Sequence, residues 1–269
     1  MTQQLSCREQ SIFRRTILIG YKSVFQDGRI SPALLWEELE ESAEQHCRLI
    51  GMDVFTLLSR QEAWVLKSGA SRMHRYPGYG EKIEIISWIS SLDRYRGYRE
   101  FRIKDEEGQI LGEMSTLWVY MDLKERHLKA IPEEFHIGWG SCGEALHSDF
   151  HKKNSYSSLC EFKSDLFSVR RRDLDSSAHV HNIRYLEWLS ESIPEEIYRD
   201  CQIADFSALY RREMRSGGTV DIRTEDLGDG CFRHDFYNKD ESLLLCSAQS
   251  RWVKKESLPF SAGILQKVL

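Results

Sequence analysis

The segment DLDSSAHVHN, Asp173 to Asn182, places carboxylate, hydroxyl and imidazole side chains directly before an apolar-periodic segment. A carboxylate such as Asp175 can position or activate water, and a histidine such as His179 can move protons near neutral pH. If a helix begins here, its first backbone amides can polarise a carbonyl oxygen. One interpretation of the cluster is therefore a hydrolytic site at the start of a helix.

Two other interpretations account for the same residues. Asp175, Ser176 and Ser177 are typical of turns and helix caps, where short polar side chains satisfy backbone amides. His179 and His181 form an HxH pair, which suggests a metal site. A metal would need further ligands, and the remaining candidate histidines show no organised spacing: His136, His147, His151 and His234.

A second carboxylate would help to hold a water molecule, and the best candidate is Glu213 in SALYRREMRSGG. Glu213 follows His179 by 34 residues and is expected in a strand after the helix. When the chain is aligned with itself at an offset of 150, Glu213 aligns with Ala63. A strand glutamate can equally be an ordinary solvent-facing side chain.

The elements that would position these residues occur twice. Strand-like alternation around Ile17 precedes a turn at Asp27 and Gly28, and a helix follows with Ser31 as its N-cap and Gly51 as its end. From Trp64 onward the pattern predicts antiparallel strands. The same order returns after a segment, 132–158, that lacks periodicity and is expected to be a linker.

Sliding one half against the other supports an internal duplication. At an offset of 150, Ile17 aligns with Phe167 and Leu39 with Leu189; at 134, Trp118-Val119 aligns with Trp252-Val253. Each half would then be a long helix wrapped by antiparallel strands, which is an α+β fold.

Composition narrows the class of protein. A net charge of −5 over 269 residues provides no global basic field for nucleic acid. The seven cysteines are scattered and never form CxxC, so reduced thiols are expected. No signal peptide or membrane span is apparent. We therefore expect a soluble, cytoplasmic protein without nucleic acid as a partner.

The segment DLDSSAHVHNIRYLEWLSESIPEEI resembles the acyl-acyl carrier protein (acyl-ACP) thioesterases of plants and bacteria, with their pattern DxDxNxHVNNxxYxxWxxESIPxEI. YRREM resembles the YRREC-like strand of the same family, and the resemblance covers roughly residues 13 to 255. It implies a tandem (double) hotdog with an N-terminal unit at 12–131 that shapes the acyl pocket. The catalytic C-terminal unit would occupy 159–255, and a tail 256–269.

Carried over by position, the resemblance implies that Asp175, His179 and Glu213 are catalytic, with Ser177 as a fourth catalytic candidate. Ser177 stands where the pattern has asparagine. Met214 stands where a cysteine often follows the glutamate, which favours attack by a carboxylate or by carboxylate-activated water over a cysteine mechanism. The thioester carbonyl would lie at the backbone amides of Val180, His181 and Asn182, with no cofactor and no metal. Alternatives are an acyl-CoA thioesterase of the same fold or a catalytically weakened acyl-binding protein.

The implied partner is an acyl carrier protein, which is acidic and would dock on basic residues. Candidates are Arg170 to Arg172, Arg211, Arg212, Arg94, Arg96, Arg99, Arg102, Lys152 and Lys153. An acyl tunnel could be lined by Trp36, Leu39, Trp64 and Leu66, which are equally good core residues. Because the duplication supplies two units in one chain, a homodimer is possible but optional.

Overall fold

The structure, a computed structural model, describes residues 11–147, 150–152 and 156–255; the predicted tail at 256–269 lies outside these residues. The first half contains β1 (Ile12–Leu18), α1 (Pro32–Leu49), α2 (Val54–Ser59), β2 (Glu62–Met73), β3 (Lys82–Leu92), β4 (Arg96–Asp105), β5 (Ile110–Asp122) and β6 (His127–Leu128). It is followed by α3 (Glu133–Gly138), β7 (Lys163–Ser168), α4 (Asn182–Glu191), α5 (Glu195–Asp200), β8 (Cys201–Tyr210), β9 (Thr219–Gly228), β10 (Cys231–Asn238) and β11 (Leu243–Lys254).

Helix α1 begins and ends as its sequence predicts. The Ser31 hydroxyl accepts a hydrogen bond from the Leu34 amide at 3.2 Å, and Pro32 occupies the first turn, where no amide partner is needed. Gly51 follows the helix with a φ of 70°, a conformation that glycine adopts without steric cost. These local signals confirm the predicted helix.

The duplication is visible in paired hydrogen bonds. The Phe25 amide donates to the Arg29 carbonyl, and 150 residues later the Asp175 amide donates to the His179 carbonyl. The indole of Trp118 donates to Thr116 Oγ1, and 134 residues later the indole of Trp252 donates to Ser250 Oγ. Both predicted offsets are therefore confirmed by equivalent contacts.

The two halves share one sheet and one core. Strands run in the order β1-β3-β4-β5-β2-β8-β11-β10-β9-β7, and β2 pairs antiparallel with β8 at the centre, as in Ser68 opposite Leu209. Helices α1 and α4 contact each other and bury apolar side chains in the same core. The helix entrances of both halves therefore lie on one continuous scaffold.

The predicted linker packs against the first half. It contains α3, and the aromatic rings of Phe135 and Trp139 are buried beside Trp64. Further on, His151 bridges Ser68 and Ser115, with 2.8 Å from each ring nitrogen to a hydroxyl oxygen. Burial lowers the pKa of His151 to about 4, so its ring is neutral near pH 7. These contacts depend on burial of single side chains, which periodicity does not reveal.

Two further observations concern the described part of the chain. It forms no disulfide, although it includes six of the seven cysteines. None of its helices is long and apolar enough to cross a membrane.

Candidate active site

The loop before α4 is held in shape by its own backbone and by Asp175. Leu174 pairs with Val180 in a short antiparallel bridge, and the Ala178 amide donates to the Asp175 carbonyl at 3.1 Å. Ala178 adopts a φ of 62°, where its repeat partner Gly28 has 73°. The loop thus keeps a left-handed position in both halves, although only the first half uses glycine there.

The Asp175 carboxylate has a structural role as well as a chemical one. Its Oδ1 accepts hydrogen bonds from the amides of Ser177, at 2.8 Å, and His179, at 3.1 Å. The capping interpretation is therefore correct for one oxygen of this side chain. Because Asp175 also lines the cavity described below, it can act on a bound molecule too.

A backbone hydrogen bond between their neighbouring residues places Glu213 beside the histidine of the loop. The Val180 amide donates to the Met214 carbonyl at 2.7 Å, which joins the loop to the segment after β8. His179 Nε2 then lies 3.5 Å from Glu213 Oε2. The structure brings Asp175, His179 and Glu213 together although 38 residues separate the first from the last.

The predicted environment of Glu213 was wrong in two respects. β8 ends at Tyr210, so Glu213 lies in the irregular segment after the strand. Its repeat partner is Tyr76 rather than Ala63: Ile30 donates to Pro77 as Val180 donates to Met214, which sets this offset at 137. Helix α4 has 10 residues where α1 has 18, and the segment between helix and strand is also shorter in the second half, so a single offset of 150 does not hold.

The first half contributes an unpredicted cation to this centre. Arg126, in the turn between β5 and β6, donates from Nη2 to Glu213 Oε2 at 2.9 Å. Nothing in the local sequence of Arg126 distinguishes it from other exposed arginines. Only the pairing of the two halves places it there.

Fewer of the predicted amides at the start of α4 can bind a thioester oxygen than the sequence suggested. The Val180 amide is bonded to Met214, and the His181 amide donates to the Asp173 carbonyl at 2.9 Å. These two amides are therefore unavailable to a thioester oxygen. Within residues 11–147, 150–152 and 156–255, no acceptor binds the amide of Asn182, which remains the candidate donor.

His181 makes a second contact between the halves. Its Nε2 lies 3.1 Å from Glu40 Oε2 of α1, and the two side chains are 29% and 17% exposed. Burial alone would lower the pKa of His181, but the hydrogen bond to Glu40 and the negative charges of Glu40 and Asp175 outweigh it and raise this pKa. Sequence reasoning missed Glu40, because α1 carries several glutamates and the pattern singles out none of them.

Two of the positions that depart from the family pattern are Ser177 and Met214. Ser177 lines the cavity and contacts Asp175 through its amide; its hydroxyl has no hydrogen-bond partner in the described part of the chain. Met214 is buried, with 4% exposure, and uses its carbonyl to hold Val180. The thioether of Met214 is not a nucleophile for a thioester.

A cavity of about 1810 Å³ extends from this cluster into the first half. Asp175, Ser177, His179 and Glu213 line one part of it. Apolar residues of the first half line another part: Leu57, Trp64, Leu66, Ile89, Leu117 and Trp139. Because drug-sized ligands occupy pockets of about 300–1,000 Å³, this cavity can hold a long, flexible molecule.

The tryptophans predicted to line an acyl pocket have different surroundings. Trp64 lines the cavity and packs edge-on against Tyr120, at 4.9 Å between ring centroids. Trp36 does not line the cavity; it is 4% exposed and packs edge-on against Phe206 of the second half, at 5.2 Å. The pocket prediction for Trp36 is wrong because its position on α1 faces the seam between β2 and β8.

The predicted docking residues differ in their burial and in their partners. Arg99 is buried, with 4% exposure, and its guanidinium lies 4.7 Å from the ring centroid of Trp139, so it is unavailable for docking. Arg102 and Arg96 form ion pairs with Glu113 and Asp93. Lys153 lies outside the described residues. Arg211 and Arg212 line the cavity beside Glu213.

The two histidines of the HxH pair have separate carboxylate partners, Glu213 and Glu40. Throughout the described ranges, no group of three histidine, cysteine or carboxylate side chains is arranged to hold a metal ion. The cluster is a carboxylate–histidine arrangement at a helix start.

Fold and site together define a tandem hotdog protein with its polar centre in the second unit. The Acyl-ACP thioesterase N-terminal domain model matches residues 10–138, and the Acyl-ACP thioesterase C-terminal domain model matches residues 156–254. The chain belongs to the acyl-ACP thioesterase family, as its resemblance implied.

Curated relatives are plant proteins of greater length. The chain is 28% identical over 217 residues to a chloroplastic dodecanoyl-[acyl-carrier-protein] hydrolase of Cinnamomum camphora, covering 75% of this chain and 56% of that protein. It is 27% identical to the protein of the same name from Umbellularia californica, with 82% and 62% covered. The chain thus spans little more than half the length of these relatives.

Solved structures share the fold. An acyl-ACP thioesterase from Bacteroides thetaiotaomicron aligns with a TM-score of 0.80 and 22% identity, over 91% of this chain and 99% of that one. The 12:0-ACP thioesterase of Umbellularia californica aligns with a TM-score of 0.80 and 24% identity, over 93% and 100%. The tandem hotdog predicted from the sequence is confirmed.

Proposed function

We propose that this protein hydrolyses fatty acyl-ACP thioesters to free fatty acid and carrier protein. The observation that carries the proposal is the convergence of Asp175, His179 and Glu213 beside a cavity that becomes apolar in the first half. The polar end suits a thioester carbonyl and water, while the apolar part suits an acyl chain. Membership of the family and the names of its curated relatives support the same activity.

The proposed reaction is addition of water to the thioester. Asp175 and Glu213 orient the water, and one of the two carboxylates takes its proton as the oxygen bonds to the carbonyl carbon. The oxygen that becomes negative lies near the Asn182 amide. When the C–S bond breaks, the thiolate receives a proton through His179, which leaves a fatty acid and a free thiol.

A survey of acyl chains on both carriers tests this function. We expect the chain to release free fatty acid from acyl-ACP with a higher kcat/KM than from acyl-CoA of the same chain length. The measurement is fatty acid release over a series of saturated and unsaturated chains. Faster turnover of acyl-CoA would favour the coenzyme A thioesterase, and binding without release of fatty acid would favour the acyl-binding protein.

A basic rim beside Glu213 supports a carrier protein as the bound partner. Arg211, Arg212 and Arg215 line the cavity together with Lys67 and Arg126. Neither Arg212 nor Arg215 forms an ion pair with a carboxylate of the described residues. Positive charge around the entrance would attract an acidic protein and speed its association.

We expect the double variant Arg212→Ser, Arg215→Ser to lower kcat/KM for acyl-ACP about 10-fold at low salt, because steering charges act on association. Added salt should narrow the difference from wild type, since exposed charges are screened within about 10 Å at 0.1 M. The matched control is Arg14→Ser, an exposed arginine on the edge strand β1 that does not line the cavity. Equal salt dependence in all three proteins would contradict the docking surface.

A further inference from the structure

The His181–Glu40 pair joins the two halves of the chain at the cavity. Glu40 belongs to α1 of the first half, and His181 is the residue directly before α4 of the second. Both side chains line the same cavity as Asp175. The family pattern has asparagine at the position of His181, so this ionisable pair departs from that pattern.

Glu40 holds His181 by one ring nitrogen and leaves the other available. The contact joins Glu40 Oε2 to His181 Nε2, and no group in the described ranges accepts a hydrogen bond from Nδ1. The other carboxylate oxygen, Oε1, is buried and has no hydrogen-bond partner in the part of the chain described. His181 is therefore the partner of this carboxylate, and loss of its positive charge would leave a buried carboxylate without a counter-ion.

The protonation state of His181 decides what Nδ1 can do. In the imidazolium both ring nitrogens are donors, so Nδ1 can donate while Nε2 binds Glu40. In the neutral ring the hydrogen stays on Nε2 toward the carboxylate, and Nδ1 can only accept. Donation from Nδ1 is thus coupled to the positive charge that Glu40 stabilises.

Two of the three amides predicted to bind the thioester oxygen are unavailable. The Val180 and His181 amides are bonded within the chain, which leaves the Asn182 amide. We propose that the His181 imidazolium, positioned by Glu40, donates from Nδ1 to the oxyanion that forms beside the Asn182 amide. The inference rests on the proposed hydrolysis. It makes His181 a catalytic residue and Glu40 a positioning residue supplied by the first half.

Other charges act on His181 from each element packed around it. Glu40 of α1 and Asp175 of the loop favour its charged form, whereas Arg184 of α4 disfavours it. Arg184 is itself paired with Glu37, one helical turn before Glu40, at 3.3 Å from Nη2 to Oε1. The charge of Glu37 also acts on His181, whereas the hydrogen bond to the ring is made by Glu40.

The test is the pH dependence of kcat/KM with acyl-ACP. Because the pKa of His181 is raised above its ordinary value, the donor is present below that pKa, and activity should fall as pH rises through it. Glu40→Gln removes the opposing charge, so we expect this alkaline limb to move down by about 1 to 3 pH units. Glu37→Gln removes a charge that also acts on His181 but is not its hydrogen-bond partner, so the limb should move less than in Glu40→Gln.

Two variants of His181 separate the donor from the charge. His181→Ala should lower kcat about 10²-fold, as loss of an oxyanion donor does in other enzymes. His181→Asn keeps a neutral donor, so it should recover part of kcat and lack the alkaline limb. NMR titration of the His181 ring in wild type and in Glu40→Gln measures the pKa itself, independently of turnover.

Failure of the His181 inference can be distinguished from failure of the proposed hydrolysis. Suppose that NMR shows a changed His181 pKa in Glu40→Gln, but the alkaline limb of kcat/KM lies at the same pH as in wild type. This result would overturn the inference and leave the proposed hydrolysis intact. An equal shift in Glu37→Gln would overturn it as well, since the effect would not be specific to the histidine pair. A wild-type protein that hydrolyses no thioester would overturn the proposed function, and with it this inference.

Discussion

Asp175→Asn is expected to lower kcat for acyl-ACP hydrolysis about 10²- to 10⁴-fold, the usual contribution of a general base or acid. The variant is chosen because its amide oxygen can still accept the hydrogen bonds that Ser177 and His179 donate to Oδ1. The loop should therefore keep its shape while losing the negative charge that acts on water. Turnover of saturating acyl-ACP and the circular dichroism spectrum measure these two effects.

The first half offers a matched control for this substitution. Asp27 lies in the equivalent loop before α1, where its Oδ1 accepts the Arg29 amide at 3.1 Å. Asp27→Asn keeps the same kind of turn contact in a half without the carboxylate–histidine cluster, so we expect near wild-type turnover. If Asp175→Asn and Glu213→Gln both turned over like wild type, the assignment of the site would be wrong.

Trp36→Ala is expected to reduce the free energy of unfolding by about 3–5 kcal/mol, the usual cost of truncating a buried aromatic side chain. The indole lies at the seam of the two halves, where it packs edge-on against Phe206. It also covers Gly69, at which a Cβ would lie 2.9 Å from the ring. Urea denaturation followed by circular dichroism measures the loss.

Trp64 provides the comparison that separates core from pocket. Because Trp64 lines the cavity, Trp64→Ala should change the preferred acyl-chain length, whereas Trp36→Ala should leave the preference of the remaining folded protein unchanged. A stable Trp36→Ala protein with an altered chain-length preference would show that this side chain belongs to the acyl pocket after all.

The parts of the fold that the sequence predicted depend on contacts between near neighbours in the chain. Ser31, Pro32 and Gly51 delimit α1 because caps act within one helical turn. The repeat was recognisable because equivalent residues keep equivalent local contacts, as the indole bonds of Trp118 and Trp252 show. Asp175 and His179 were found for the same reason, since they share one loop.

The errors arose where an element depends on distant partners. Helix α4 is shorter than α1, so the repeat offset changes after the helix and Glu213 corresponds to Tyr76. The segment at 132–158 lacks periodicity because it buries isolated aromatic rings against an existing surface. The sequence could not show that Trp36 and Arg99 are buried, because apolar and charged side chains occur both at surfaces and in interfaces.

The amino-acid sequence alone determined the two-unit plan, the boundaries of α1 and the polar loop before α4, because caps, turns and periodicity are properties of short segments. Tertiary structure alone decided which groups surround that loop. Arg126 reaches Glu213 and Glu40 reaches His181 only because β2 pairs with β8 and brings α1 against α4. These residues lie 87 and 141 positions from their partners, a separation at which only the folded sheet and its core specify contact.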